Sequence, residues 1–169
     1  MQLDDFAAPD GVNPALAGIA WMIGSWEGTG HCHEPGDEQP FEIEQRVDFS
    51  HNGGDYLFYA SQWFRLGKDG AERDPLGMES GFWHPQADAS LDVVLCNAEG
   101  RAEVLGGTIQ VTRIDLVTDA VARTVNSTVA YTGGSRLYGL VEGDLMYAHD
   151  RATESAPLAP YMWARLKRA

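Results

Sequence analysis

Gly24-Ser25-Trp26-Glu27-Gly28-Thr29-Gly30 is the most telling stretch of this chain. It reads G-x-W-x-G-x-G. Alternate residues of a strand face one side, so Trp26, Gly28 and Gly30 would share a face. Glycine inside a strand marks close backbone approach or sharp curvature. The stretch therefore predicts a strongly curved sheet with a Trp at one end. Trp26 is expected to pack at the closed end of that sheet, against a helix on its N-terminal side. Asn13-Pro14 is an N-cap followed by a proline suited to the first helical position. Ala15 to Ile23 then supplies a short apolar helix that stops at Gly24.

Further along, turn sequences recur at His51-Asn52-Gly53-Gly54, Lys68-Asp69-Gly70, Ala98-Glu99-Gly100, Gly133-Gly134 and Glu142-Gly143-Asp144. Gly, Asn and Asp tolerate the backbone that tight hairpins need. Between the turns lie about ten runs rich in β-branched and aromatic residues: 25–33, 42–50, 55–66, 77–84, 90–97, 101–107, 108–117, 123–131, 135–141 and 144–153. Links this short join antiparallel neighbours, because a parallel crossover needs a dozen residues or more. A barrel and a two-sheet sandwich both fit this alternation. A second helix is predicted over Leu158 to Arg168, whose basic end suits the negative pole of a helix.

Composition narrows the function. The chain has 169 residues and a net charge of −13, enough for one domain over 13–169 after a mobile tail over 1–12. Its first 44 residues carry nine acidic side chains and no Lys or Arg. Nucleic acid and anionic membrane surfaces would be repelled. No signal peptide or spanning segment is evident, so the expectation is a cytoplasmic protein, monomeric or homodimeric. Cys32 and Cys96 lack CxxC spacing and read as free thiols. No G-x-S-x-G elbow, P-loop or H-E-x-x-H is present.

The glycine motif has companions. Phe49-Ser50-His51 precedes a glycine turn. Glu79-Ser80-Gly81-Phe82-Trp83 follows Pro75, and Leu140-Val141-Glu142-Gly143 leads to Pro157-Leu158. From about Leu16 to Lys167 this set resembles the nitrobindin family, related in shape to the fatty-acid-binding proteins. The resemblance implies an all-β fold: a ten-stranded antiparallel barrel with a short helix at each end. It also implies a ferric haem b at one mouth, held by one axial His from the final helix, and conversion of peroxynitrite to nitrate.

The chain departs from that pattern in three places. The axial His belongs to a P-L-x-x-H segment, and here Tyr161 stands at its position in Pro157-Leu158-Ala159-Pro160-Tyr161. A Y-P-T triplet that helps hold haem is replaced by Glu34-Pro35-Gly36-Asp37, and Gly77 stands where several members have a pocket His. Tyr161 is open to two readings. It is a tyrosinate ligand to ferric haem, supported by Arg165 four residues on, or it plugs the barrel mouth. Met78, Phe82, Tyr138 and Met162 are candidate inward residues. Glu79 is a candidate buried carboxylate for Arg46, Arg123 or Arg136. His31 and His33, on one strand face, could begin a metal site.

The resulting expectation is a non-catalytic, nitrobindin-like protein. It has a barrel pocket for a small apolar or planar ligand, or a nearly filled interior. The alternatives are a haem protein that isomerises peroxynitrite through Tyr161, and a fatty-acid carrier. The carrier would need cationic residues inside the barrel.

Overall fold

The computed structural model describes residues 7–169. The predicted mobile tail thus lies partly outside the described residues. Asn13 caps a 3₁₀ helix, Pro14–Met22, its side-chain oxygen accepting from the Ala15 amide at 3.0 Å. Ten strands follow: β1 (Gly24–Cys32), β2 (Phe41–Ser50), β3 (Leu57–Leu66), β4 (Arg73–Pro85) and β5 (Ser90–Asn97). The others are β6 (Arg101–Gln110), β7 (Arg113–Arg123), β8 (Tyr131–Val141), β9 (Asp144–Thr153) and β10 (Ala156–Arg168). Each pairs antiparallel with the next, and β10 returns to β1, closing the barrel.

The motif glycines make that closure. Trp26 faces inward at the closed end, its indole N–H donating to the Met22 carbonyl at 2.8 Å. Gly28 and Gly30 follow at the β1–β10 seam. A Cβ on Gly28 would lie 2.4 Å from the Arg165 carbonyl oxygen, and one on Gly30 2.1 Å from that of Trp163. Any side chain there would push β10 away. Leu16, Ile19 and Met22 of the helix fill the closed end with Phe49, Leu57 and Trp83. Arg168 seals it from outside, lying 4.1 Å over the Trp26 ring and donating to the Ile23 and Trp21 carbonyls.

The expected C-terminal helix is instead β10. Met162, Ala164 and Leu166 face inward, while Trp163, Arg165 and Lys167 face out. That is a period of two, and Pro160 would break a helix interior. The run 123–131 is not a strand: β7 ends at Arg123 and a loop reaches Tyr131, turned by the Ser127 amide donating to the Thr124 carbonyl. The expected boundary between runs 101–107 and 108–117 falls within β6, and the turn to β7 lies at Val111-Thr112. A Cβ on Gly107 would meet the Asp115 carbonyl oxygen at 2.2 Å, so this glycine serves close packing of β7.

Gly30→Val tests the seam. Opening it should lower the unfolding free energy by about 3 kcal/mol or more, read by urea unfolding. Gly36→Ala, at a loop glycine with open space around it, should cost only the backbone strain of its positive φ, about 1–2 kcal/mol.

Candidate functional site

The mouth opposite the helix is lined by inward residues of seven strands. On β4, alternation carries Glu79 inward; on β6 it carries Arg101 and Glu103; on β8, Arg136. These four are buried. Arg136 donates to Glu79 at 2.5 and 3.1 Å and to Glu103 at 3.4 Å. The Tyr59 hydroxyl donates to Glu79 at 2.9 Å, and those of Tyr131 and Thr118 donate to Glu103 at 2.5 and 2.6 Å. Arg101 lies 4.0 Å over the Tyr131 ring and pairs with Glu99 at 2.9 Å. Of the three arginines the sequence offered to Glu79, the fold selects Arg136.

These charges set each other's protonation. Burial alone would raise the Glu79 carboxyl, but the Arg136 charge and the hydrogen bonds from Arg136 and Tyr59 hold it below the usual carboxylate range. Burial opposes charge on Arg136 too, yet Glu79 and Glu103 keep it firmly protonated. His149 is held neutral, first by burial and then by Arg136, Arg101 and Arg151.

Above this network sits Tyr161. Strand β10 carries a bulge between Pro160 and Met162, so both Tyr161 and Met162 turn inward. The Tyr161 ring meets His149 edge-on, with 5.5 Å between centroids. Its other neighbour is Arg151, whose guanidinium lies 3.6 Å over the ring. Arg151 is in turn ion-paired with Glu34. Burial, with the nearby Cys32, pushes the Tyr161 phenol well above its ordinary value. The Cys32 thiol beside it is pushed up to about 12 by burial, with Glu34 adding to the effect. Both groups are protonated at neutral pH.

The three departures seen in the sequence meet here. Glu34 anchors Arg151, and Arg151 covers Tyr161. Gly77 makes room for the indole of Trp63, since a Cβ there would lie 2.6 Å from Trp63 Cζ2. What remains inside is a cavity of about 20 Å³, lined by Gln45, Trp63, Arg136, His149, Tyr161 and Met162 among others. That is space for about one water molecule. The Gln45 Oε1 and His149 Nε2 atoms on its wall have no protein hydrogen-bond partner. A much larger hollow, about 700 Å³, lies on the outer wall around Leu137, Met146 and Trp163.

A family model described as "THAP4-like, heme-binding beta-barrel domain" matches residues 15–168. A "Ferric nitrobindin-like protein" of Cutibacterium acnes is 54% identical, covering 97% of this chain and 99% of its own. The chain belongs to the nitrobindin family. A "Peroxynitrite isomerase" of a Nocardioides species is 38% identical, covering 96% of this chain and 98% of its own. The crystal structure of Rv2717c from M. tuberculosis superposes with a TM-score of 0.82 at 25% identity, covering 94% of this chain and 99% of that one.

The residues of this nitrobindin-family chain do not fit a haem at the mouth. Tyr161 offers a protonated phenol beneath a guanidinium, and neither the enclosed space nor the hollow of about 230 Å³ outside Glu34, Arg151 and Tyr161 reaches the roughly 300 Å³ of the smallest ligand pockets. Arg165, expected to support a phenolate, lies outside and pairs with Asp144 at 2.6 Å and Glu142 at 3.1 Å. Met78 and Phe82, expected inward, are on the outer wall; Tyr138 and Met162 are inside. His149 is a buried, neutral imidazole packed edge-on against Tyr161, and the cavity of about 20 Å³ that it lines has no room for a porphyrin. His31 and His33 diverge. The first stacks on Trp163 outside, at 5.7 Å between centroids, and the second donates from Nε2 to the Asp37 carbonyl at 3.0 Å.

Arg101, Arg151, Glu103, His149 and Trp63 were not singled out from the sequence. Their signal was alternation: Leu145, Tyr147, His149 and Arg151 fall on one face of β9. Arg101, Arg136 and Arg151 put inside the barrel the cations that a fatty-acid carrier would need. Each is already neutralised by Glu, which leaves no spare charge among them for a fatty-acid carboxylate.

Two measurements check this electrostatics. Glu79→Gln should destabilise the protein by about 3 kcal/mol, because it removes the closer of the two carboxylates that neutralise buried Arg136. For His149 the folded pKa lies below the unfolded value of about 6.5, so its contribution is intact above that pH. As pH falls below 6.5 the unfolded chain takes the proton first. Stability should then drop by up to about 1.4 kcal/mol per pH unit. Urea unfolding at pH 7, 6 and 5 should show this extra slope in the native protein and not in His149→Leu.

Proposed function

We propose that this chain is a non-catalytic member of the nitrobindin family, residing in the cytosol, whose haem seat has been taken over by its own side chains. The observation that carries the reading is the Glu34–Arg151–Tyr161 stack, which closes the mouth over a paired ionic interior. Peroxynitrite isomerisation by a ferric centre needs an open coordination position backed by a protein ligand. Here the ligand position holds a neutral phenol with a cation on its face. A small planar or apolar ligand could reach the interior only by displacing Arg151 and Tyr161. The two free cysteines accord with a reducing compartment.

Two variants separate loss of the ligand from filling of the seat. Tyr161→His alone should give no shifted Soret band with ferric haem, because Arg151 still lies over position 161. Tyr161→His with Arg151→Leu should give one. Peroxynitrite decay should be no faster with native protein plus haem than with haem alone. A Soret band from the single variant would show that the seat is intact and only its ligand missing. Accelerated decay with the native chain would restore the enzyme reading.

A further inference from the structure

The link between β2 and β3 runs His51-Asn52-Gly53-Gly54-Asp55-Tyr56. Asn52 and Gly53 are exposed, and several polar contacts converge on this one pair. The Gly53 amide N–H donates to His51 Nδ1 at 3.3 Å. Asn52 Oδ1 accepts from the Gly54 amide at 3.1 Å, which fixes which way the side-chain amide points. Asn52 Nδ2 then lies 2.9 Å from the Tyr56 hydroxyl. The Tyr56 ring is braced edge-on against Phe82, at 5.5 Å between centroids. Gly53 has a φ of +94° and no side chain to shield its nitrogen. A nitrogen beside a base, a carbonyl oxygen held by a donor and a leaving nitrogen beside a hydroxyl are the parts of an acyl-transfer centre.

We propose that this turn is a self-modification site, at which Asn52 loses its side-chain nitrogen through a succinimide. His51 Nδ1 takes the Gly53 amide proton as that nitrogen attacks Asn52 Cγ. The new N–Cγ bond closes a small ring, a step favoured because both reactants sit on adjacent residues. Negative charge gathers on Oδ1, where the Gly54 N–H already points. The Cγ–Nδ2 bond breaks, and Nδ2 leaves as ammonia with a proton from the Tyr56 hydroxyl. The proton on His51 returns to the Tyr56 oxygen through water. A second water opens the ring, breaking the bond from Gly53 N either to Cγ or to the main-chain carbonyl carbon of residue 52. The products are an aspartate or an isoaspartate at position 52, and no reagent besides water is consumed. Each adds a negative charge to a chain of −13. Isoaspartate also lengthens the backbone by a methylene. The Gly53 carbonyl accepts from Asn13 Nδ2 at 3.1 Å, and Asn13 caps the 3₁₀ helix, so the change reaches the closed end of the barrel.

The test is ageing of the full chain at neutral pH and physiological temperature, folded and, in parallel, unfolded in guanidinium chloride. Trypsin then releases residues 47–65, in which Asn52 is the sole asparagine, and chromatography with mass spectrometry separates the amide from its two acid products. Asn52 should convert faster in the folded chain than in the unfolded one, because only the fold supplies the base and the donors. His51→Gln keeps an acceptor beside Gly53 but cannot carry the proton. It should slow conversion in the folded chain by roughly tenfold or more. Tyr56→Phe should slow it as well, with thermal melts showing both variants folded. A folded native chain that converts no faster than the unfolded one overturns the proposal without recourse to any variant. So does a folded His51→Gln or Tyr56→Phe chain that converts at the native rate.

Discussion

A guanidinium cannot sit in a protein interior without neutralisation, and Arg136 makes that rule the organising constraint of this barrel. Its charge is met by the carboxylates of Glu79 and Glu103. They in turn require donors, which Tyr59, Tyr131 and Thr118 supply. Arg101 and His149 then pack onto the same cluster from neighbouring strands. A pocket wall that bound a large planar group would be mostly apolar with a few placed polar atoms. This one is charged, paired and nearly full.

Glu34, Gly77 and Tyr161 are far apart in sequence, yet they belong to one arrangement. A carboxylate at 34 holds Arg151, a phenol ring at 161 lies beneath it, and a missing side chain at 77 admits Trp63. Together they close the mouth with the chain's own atoms. Likeness of fold does not by itself carry an activity, because activity resides in the site.

Much of the scaffold was legible because its causes are local. Trp26, Gly28 and Gly30 announce the curved seam, and short Gly and Asn turns announce antiparallel neighbours. Strand β10 was misread because its basic end resembles a helix terminus. The better signals were Pro160 and the alternation of Met162, Ala164 and Leu166 with Trp163, Arg165 and Lys167. The site was less legible because it is built across strands. Glu79 could be marked as a buried carboxylate, but its choice of Arg136 over Arg46 or Arg123 depends on register. The bulge that turns Tyr161 and Met162 inward together has no mark in composition. Met78 and Phe82 were placed inside on apolar character alone, and parity along β4 puts them outside, opposite in facing to Glu79 and Trp83.

The central claim is that the haem seat is filled by protein. A titration of the purified native chain with ferric haem, followed by absorbance in the Soret region and by quenching of tryptophan fluorescence, addresses it most directly. The account predicts a spectrum equal to that of free haem, with no saturable quenching. A saturable one-to-one complex with a shifted Soret band, abolished by Tyr161→Phe, would contradict it and assign the phenol to the iron.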